Sequence, residues 1–216
     1  MAVSIAGCRP VIVSTDDSFQ PDVAHIGNAI TERTRAVVTI SPNNPTGAVY
    51  SQSCLRSVNE LCRERGIYHI SDEAYEYFTY EEATHFSPAS LTGSQEHTIS
   101  LYSLSKAFGF ASWRIGFMVI PTELTAPVKK IQDTNVICPP VISQYAAVGA
   151  LDAGFAYCRP HLARLSEVRA LVLDALGSLG NLVQTPRAEG AFYFLVNVMC
   201  DLGSIELVEQ LIRRHK

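Results

Sequence analysis

Ser103-Leu104-Ser105-Lys106-Ala107-Phe108-Gly109-Phe110-Ala111-Ser112-Trp113-Arg114-Ile115-Gly116 follows directly on the apolar run 98–102 and leads into a second apolar run at 115–120. A lysine is thus carried on a loop of small residues at the end of one predicted strand, and an arginine stands just ahead of the next. A lysine amine forms Schiff bases with aldehydes. A guanidinium holds phosphate through a two-point fork. The serines and Gly109 are small enough to let a ligand approach the backbone. These residue types, in this order, point to a pocket for a phosphorylated aldehyde.

Working outward, short apolar runs alternate with longer periodic segments. The β-branched run Ala36-Val37-Val38-Thr39-Ile40 predicts a strand. Ser41-Pro42-Asn43-Asn44-Pro45-Thr46-Gly47 follows, and its prolines and glycine exclude both helix and strand. Residues 51–65 predict a helix, capped by Ser51 or Ser53, with an apolar stripe of Leu55, Val58, Leu61 and Cys62 and with Gly66 at its end. A strand over 67–70 leads into Ser71-Asp72-Glu73-Ala74-Tyr75. Weaker signals predict a strand at Val11-Ile12-Val13 and a helix over 22–31. Strand–helix–strand alternation predicts an α/β fold, a mostly parallel sheet flanked by helices. Such sheets bind ligands at the carboxyl ends of their strands. Asn44 follows one strand, Asp72 and Tyr75 the next, and Ser103 and Lys106 a third, so the topology would gather them at one edge.

The second half reads differently. Helices are predicted over 122–133 and 140–153, and a long amphipathic helix over 160–179 carries Leu162, Leu165, Val168, Leu171, Val172, Ala175 and Leu176 on one face. A strand is expected over 190–198 and a last helix over 204–215. This change predicts a large domain over 1–165, incomplete, and the start of a smaller α/β domain over 166–216.

Of the 216 residues 47% are hydrophobic and 18% charged, which predicts a buried core. A net charge of −4 without a basic tract argues against nucleic acid and anionic membrane surfaces. No apolar run reaches the roughly 18–20 residues that span a bilayer. The start of the chain has neither the basic nor the apolar region of a signal peptide. Cys8, Cys54, Cys62, Cys138, Cys158 and Cys200 are scattered, with no CxxC pair and no metal-ligand spacing, as in a reduced cytosolic protein. The expectation is a cytoplasmic protein without a metal.

Taken singly, each motif has an ordinary reading. Residues 41–47 make a plain turn, Asp72 a helix cap, Tyr75 a core aromatic, Lys106 a surface lysine, and Arg114 a surface partner of Glu123. Their joint occurrence, in order and each after a strand, is what carries weight. The chain resembles the class I/II aminotransferases, pyridoxal-phosphate enzymes of fold type I. The resemblance rests on Ser-Pro-Asn-Asn-Pro-Thr-Gly at 41–47, Ser-Asp-Glu-Ala-Tyr at 71–75, and Ser-Leu-Ser-Lys with Trp-Arg-Ile-Gly at 103–116. Glu-Gly-Ala-Phe-Tyr at 189–193 is a weaker match, and Ser112 stands where the family usually has glycine or another small residue.

The resemblance implies that Lys106 holds pyridoxal 5′-phosphate as an internal aldimine and, once displaced by an amino acid, moves the Cα proton as general base. It implies Asp72 at the protonated ring nitrogen, Tyr75 and Asn44 at the ring's phenolic oxygen, and Ser103 and Arg114 on the phosphate, with Ser105 a lesser candidate. The implied reaction is ping-pong amino transfer from an amino acid to a 2-oxo acid. A pyridoxal-phosphate β-lyase, an aminocyclopropane-carboxylate synthase-like enzyme and a non-catalytic remnant are the alternatives. Family members are longer and usually homodimeric. Their upstream phosphate loop and stacking aromatic, and the downstream arginine that binds the substrate carboxylate, have no match here. Arg213 and Arg214 read as a solvated helix face. The chain is therefore expected to be an internal piece of an aminotransferase, with little or no transaminase activity by itself.

Overall fold

The structure, a computed structural model, describes residues 2–215. After a single turn, α1 (Ala2–Ile5), the helix α2 (Val23–Ala29) starts at Asp22, whose carboxylate accepts the His25 N–H at 2.9 Å. The β-branched run forms β1 (Ala36–Ile40) as expected. The helix α3 (Gln52–Glu64) is capped by Ser51, whose Oγ accepts the Cys54 N–H at 3.2 Å, and Gly66, at φ 62°, lies just past its end. Then come β2 (Tyr68–Asp72), β3 (Thr98–Ser103) and β4 (Gly116–Val119).

These four strands form one sheet in the order β1-β2-β3-β4. The first three are parallel and β4 runs antiparallel to β3. Only β1 and β2 are joined through an α-helix. The β2–β3 connection is a loop with short turns at Pro88–Ser90 and Ser94–Glu96. The register sets Ile40 beside Asp72, Asp72 beside Leu101, and Ser103 beside Gly116. The three loops with the site motifs therefore leave the sheet at one edge.

The helix α3 covers one sheet face and buries Leu55, Val58, Asn59 and Cys62. Fully burying Leu55 and Val58 contributes about 1.5–3 kcal/mol each. Under Asn59 the sheet is polar. His69, fully buried, lies with Nε2 2.9 Å from Thr39 Oγ1 and Nδ1 3.1 Å from Asn59 Nδ2. An amide nitrogen only donates, so Nδ1 accepts and the Nε2–H donates to Thr39. Asn59 Nδ2 also donates to Thr98 Oγ1 at 2.8 Å. Burial pushes the His69 pKa down to about 4, which keeps the ring neutral near pH 7.

Beyond the sheet lie α4 (Thr125–Asn135), α5 (Val141–Gly177), the strand pair β5 (Val183–Gln184) and β6 (Asn197–Val198), and α6 (Ser204–Arg214). The backbone of α5 leaves the helical region at Gly154 (φ 60°, ψ −157°), which separates the two helices expected from the sequence. No helix among the described residues is long and apolar enough to cross a membrane.

Two expected strands do not form as read. Val11-Ile12-Val13 is not a strand: Val11 and Ile12 are 57% and 88% exposed and have no neighbour to pair with, and β-branched residues alone do not make a ladder. The run 190–198 is a strand only at Asn197–Val198. Ala188 and Ala191 adopt positive φ (48° and 56°), which breaks the extended run and turns it onto the sheet edge. There the Gly190 N–H donates to Gly47 O at 2.7 Å and the Ala191 N–H to Phe78 O at 2.9 Å. A Cβ on Gly190 would lie 2.6 Å from Val49 Cγ2 and 2.7 Å from Pro42 Cβ. Gly190→Ala should therefore cost about 2–3 kcal/mol by overpacking. Urea denaturation checks this, and a loss under about 0.5 kcal/mol would contradict the close approach.

Candidate active site

The turn after β1 contains two asparagines with separate tasks. Asn43 holds the turn: its Oδ1 accepts Thr46 Oγ1 at 2.8 Å, and its Nδ2 donates to Ile40 O at 3.3 Å and Tyr50 Oη at 3.2 Å. With Asn43 so engaged, the exposed Asn44 turns outward, and its Nδ2 donates to Tyr75 Oη at 3.4 Å.

Asp72 ends β2, and its Oδ1 accepts the Ala74 N–H at 3.1 Å. Strand alternation puts Asp72, Leu101 and Ser103 on the same face of the sheet. Tyr75 sits in the turn that follows, 6% exposed. Its ring meets Phe78 and Phe192 edge-on, with centroids 6.2 and 5.4 Å apart.

Lys106 reaches over this aromatic group. Its Nζ lies 5.5 Å from the Tyr75 ring centre and 5.9 Å from that of Phe192. Below it the loop is closed by a Ser105 N–H bond to Ser103 Oγ at 3.2 Å. Arg114 lies two residues before Gly116, the register partner of Ser103, and so returns to the same edge. It adopts φ 52° and ψ 50°, a left-handed conformation that costs a non-glycine residue about 1–3 kcal/mol. Its exposed guanidinium donates to Ala111 O at 2.8 Å. Among the described residues neither Lys106, Asp72 nor Arg114 forms an ion pair, and the Arg114–Glu123 pair considered from the sequence is not made.

Lys106, Tyr75 and Asn44 are thus in one cluster, while Asp72, Ser103, Ser105 and Arg114 line the adjacent strand ends. The sequence reading had no role for Tyr193. Its hydroxyl is 2.8 Å from Tyr75 Oη, and its ring packs against those of Tyr75 and Phe192. Burial raises the Tyr193 phenol, its bond to Tyr75 adds to this, and Lys106 opposes it. The only sequence signal for Tyr193 was the weak 189–193 match, since its placement depends on the positive φ at Ala191.

A family model described as aminotransferase class I and II matches residues 1–216. The chain belongs to the class I and II aminotransferases. Among curated relatives in this family, aspartate aminotransferase of Pyrococcus abyssi is 34% identical over 100% of this chain and 56% of its own. Aspartate/prephenate aminotransferase of Thermus thermophilus is 36% identical over 90% of this chain and 51% of its own. The solved aromatic aminotransferase of Pyrococcus horikoshii superposes with a TM-score of 0.92 at 34% identity, covering 98% of this chain and 58% of that one. The chain spans about half the length of the curated relatives it matches. The structural aminotransferase neighbours bear out the α/β architecture expected from strand–helix alternation.

Proposed function

We propose that this chain carries the lysine-bearing part of a pyridoxal-phosphate-dependent aminotransferase that moves an amino group from an amino acid to a 2-oxo acid. The observation that carries this reading is Lys106 Nζ poised over Tyr75, with Asn44 on the same phenol, at the carboxyl edge of a parallel sheet.

The donor set fits the cofactor. Lys106 offers a primary amine to the aldehyde, and Asp72 a carboxylate to the ring nitrogen. Tyr75 and Asn44 offer hydrogen-bond donors to the ring oxygen; Ser103, Arg114 and, less directly, Ser105 serve the phosphate. When bound, pyridoxal phosphate supplies the electron sink for negative charge developing at the amino acid's Cα. Asp72 favours the protonated ring nitrogen by its negative charge, which maintains that sink. The Lys106 Nζ, when free, is the base positioned to take the Cα proton and return it. Tyr75 and Asn44 would orient the ring, with the aromatic cluster of Tyr75, Phe192 and Tyr193 beside it.

Several further parts of the reading are proposals of the same kind. The large domain extends to about residue 165, inside α5, and 166–216 begin a smaller one. The full protein is a cytoplasmic homodimer. The names of the relatives make dicarboxylic and aromatic amino acids the first substrates to try. The test supplies a nitrogen-labelled amino acid, a 2-oxo acid and pyridoxal phosphate, and reads where the label goes. Label in a new amino acid is the expected result. Label released as ammonia with pyruvate, or a cyclised product, would replace amino transfer by lyase or synthase chemistry.

A further inference from the structure

Glu73 follows Asp72 directly but continues the strand alternation onto the opposite face, with His69 and Ser71. Its side chain is fully buried. Oε2 lies 2.8 Å from His85 Nε2, and Oε1 accepts the Ser87 hydroxyl at 2.9 Å. Ser87 Oγ is in turn 3.2 Å from the Tyr102 hydroxyl, and Tyr102 is the residue before Ser103 on β3. The Glu73 N–H donates to Leu101 O at 2.9 Å, and Glu73 O accepts the Glu76 N–H at 3.0 Å at the start of the turn that carries Tyr75. Glu73 therefore ties the two strand ends from which the site residues emerge, by its main chain to Leu101 and Glu76 and by its carboxylate to His85, Ser87 and, through Ser87, Tyr102.

A buried carboxylate is an expensive way to join two strands, because its desolvation has to be offset by its partners. Apolar side chains in place of Glu73 and its partners together would fill the same space at less cost. What the carboxylate adds is direction: charge-assisted hydrogen bonds fix angle as well as distance. Here the bonds converging on Glu73, that of His85 foremost, outweigh the effect of burial and hold its carboxyl below the usual value. None of the proposed cofactor contacts uses Glu73, His85 or Ser87.

We propose that Glu73, held by His85 and Ser87, is a positioning residue that locks the Asp72–Tyr75 turn to the Ser103–Lys106 loop and so sets the relation of carboxylate and lysine across the cofactor site. The inference rests on the pyridoxal phosphate reading above. It acts through Asp72 and Lys106 and touches no reacting atom.

The test uses the 216-residue chain and its Glu73→Gln, Ser87→Ala and Tyr102→Phe variants. Each is titrated with pyridoxal phosphate and the absorbance of the bound cofactor is followed with concentration and with pH, beside a urea denaturation curve. Glu73→Gln keeps the shape and removes the charge. It should weaken cofactor binding by the folded fraction about tenfold or more and move the pH midpoint of the bound absorbance by about one unit. Ser87→Ala and Tyr102→Phe should move both readouts the same way, by less. Variants that lose stability while the folded fraction keeps the wild-type affinity and midpoint would make Glu73 a structural residue only and overturn the proposal. If Glu73→Gln does not fold, the other two variants decide on the same readouts, and wild-type values in both overturn it. Borohydride reduction of the wild type, with no variant involved, tests the underlying reading separately. Failure to label Lys106 in preference to Lys129, Lys130 and Lys216 would remove that reading and the proposal with it.

Discussion

Replacing Lys106 by alanine should abolish cofactor attachment and amino transfer together. Wild-type chain treated with pyridoxal phosphate and borohydride should carry the label on the peptide containing Lys106. The Lys106→Ala variant should carry none beyond the background at the other lysines, Lys129, Lys130 and Lys216, the first two of which are exposed on α4. Lys106 differs from those two in its setting: it is half-buried, over the Tyr75 and Phe192 rings, with Tyr193 beside it. Loss of a general base lowers rates by roughly 10²–10⁴, and loss of covalent attachment adds to that. Lys106→Arg should lose as much, since a guanidinium keeps the charge but forms no Schiff base and does not deprotonate. A label that persists at another lysine, or a variant with near wild-type turnover, would refute the assignment. The absolute rate of the 216-residue chain by itself is expected to be low. Arg114 is the single permanently charged phosphate contact in the proposed set, and each charge-assisted bond contributes about 1.5–3 kcal/mol.

Stability should respond to acid through His69 and to base through Glu76, with opposite signs. The His69 pKa falls from 6.5 to about 4 on folding because burial disfavours the charged ring. Between those values the unfolded chain binds more protons, so stability is full above 6.5 and is lost as the pH drops toward 4. The shift corresponds to a loss of about 3 kcal/mol. Glu76 behaves in the reverse sense: burial raises its pKa from 4.5 to about 7. Its folded form holds the extra proton, so stability is full below 4.5 and declines as the pH rises through 7. Partial solvent contact reduces that contribution to about 1–2 kcal/mol. Glu76→Gln should accordingly stabilise the chain by that amount at pH 8 and leave it nearly unchanged at pH 4. In the Glu76→Gln background, His69→Gln should flatten what remains of the slope between pH 4 and 6.5. Urea denaturation across pH gives both. A Glu76→Gln variant less stable than wild type at pH 8 would show that the carboxylate is paired rather than merely desolvated.

Much of the sheet and its motifs was legible in the linear chain, for a physical reason. The β-branched run Ala36–Ile40, the Ser51 cap with its apolar stripe, and the prolines at 42 and 45 are local signals, and each produced the element it predicted. The candidate residues were legible too, because parallel topology sends every loop that follows a parallel strand to the same edge. Illegible were features that depend on partners distant in sequence. Val11–Val13 has strand-forming side chains and no strand to join. The stretch 190–198 has the composition of a strand, but contacts with Gly47 and Phe78 hold its first residues in a different path.

The sequence by itself determined the family, the order of the strands and the chemical types at the site: an amine, a carboxylate, a guanidinium and the amide and phenol of Asn44 and Tyr75. Only the tertiary structure decided that Asn44 bonds Tyr75 directly while Asn43 holds the turn, that Tyr193 completes the cluster, and that Glu73 leaves the sheet on the face opposite its neighbour Asp72. The division has one cause. Residue chemistry and short-range periodicity are written in consecutive residues, whereas a hydrogen bond between residues 75 and 193 exists only once packing has brought two distant backbones within reach.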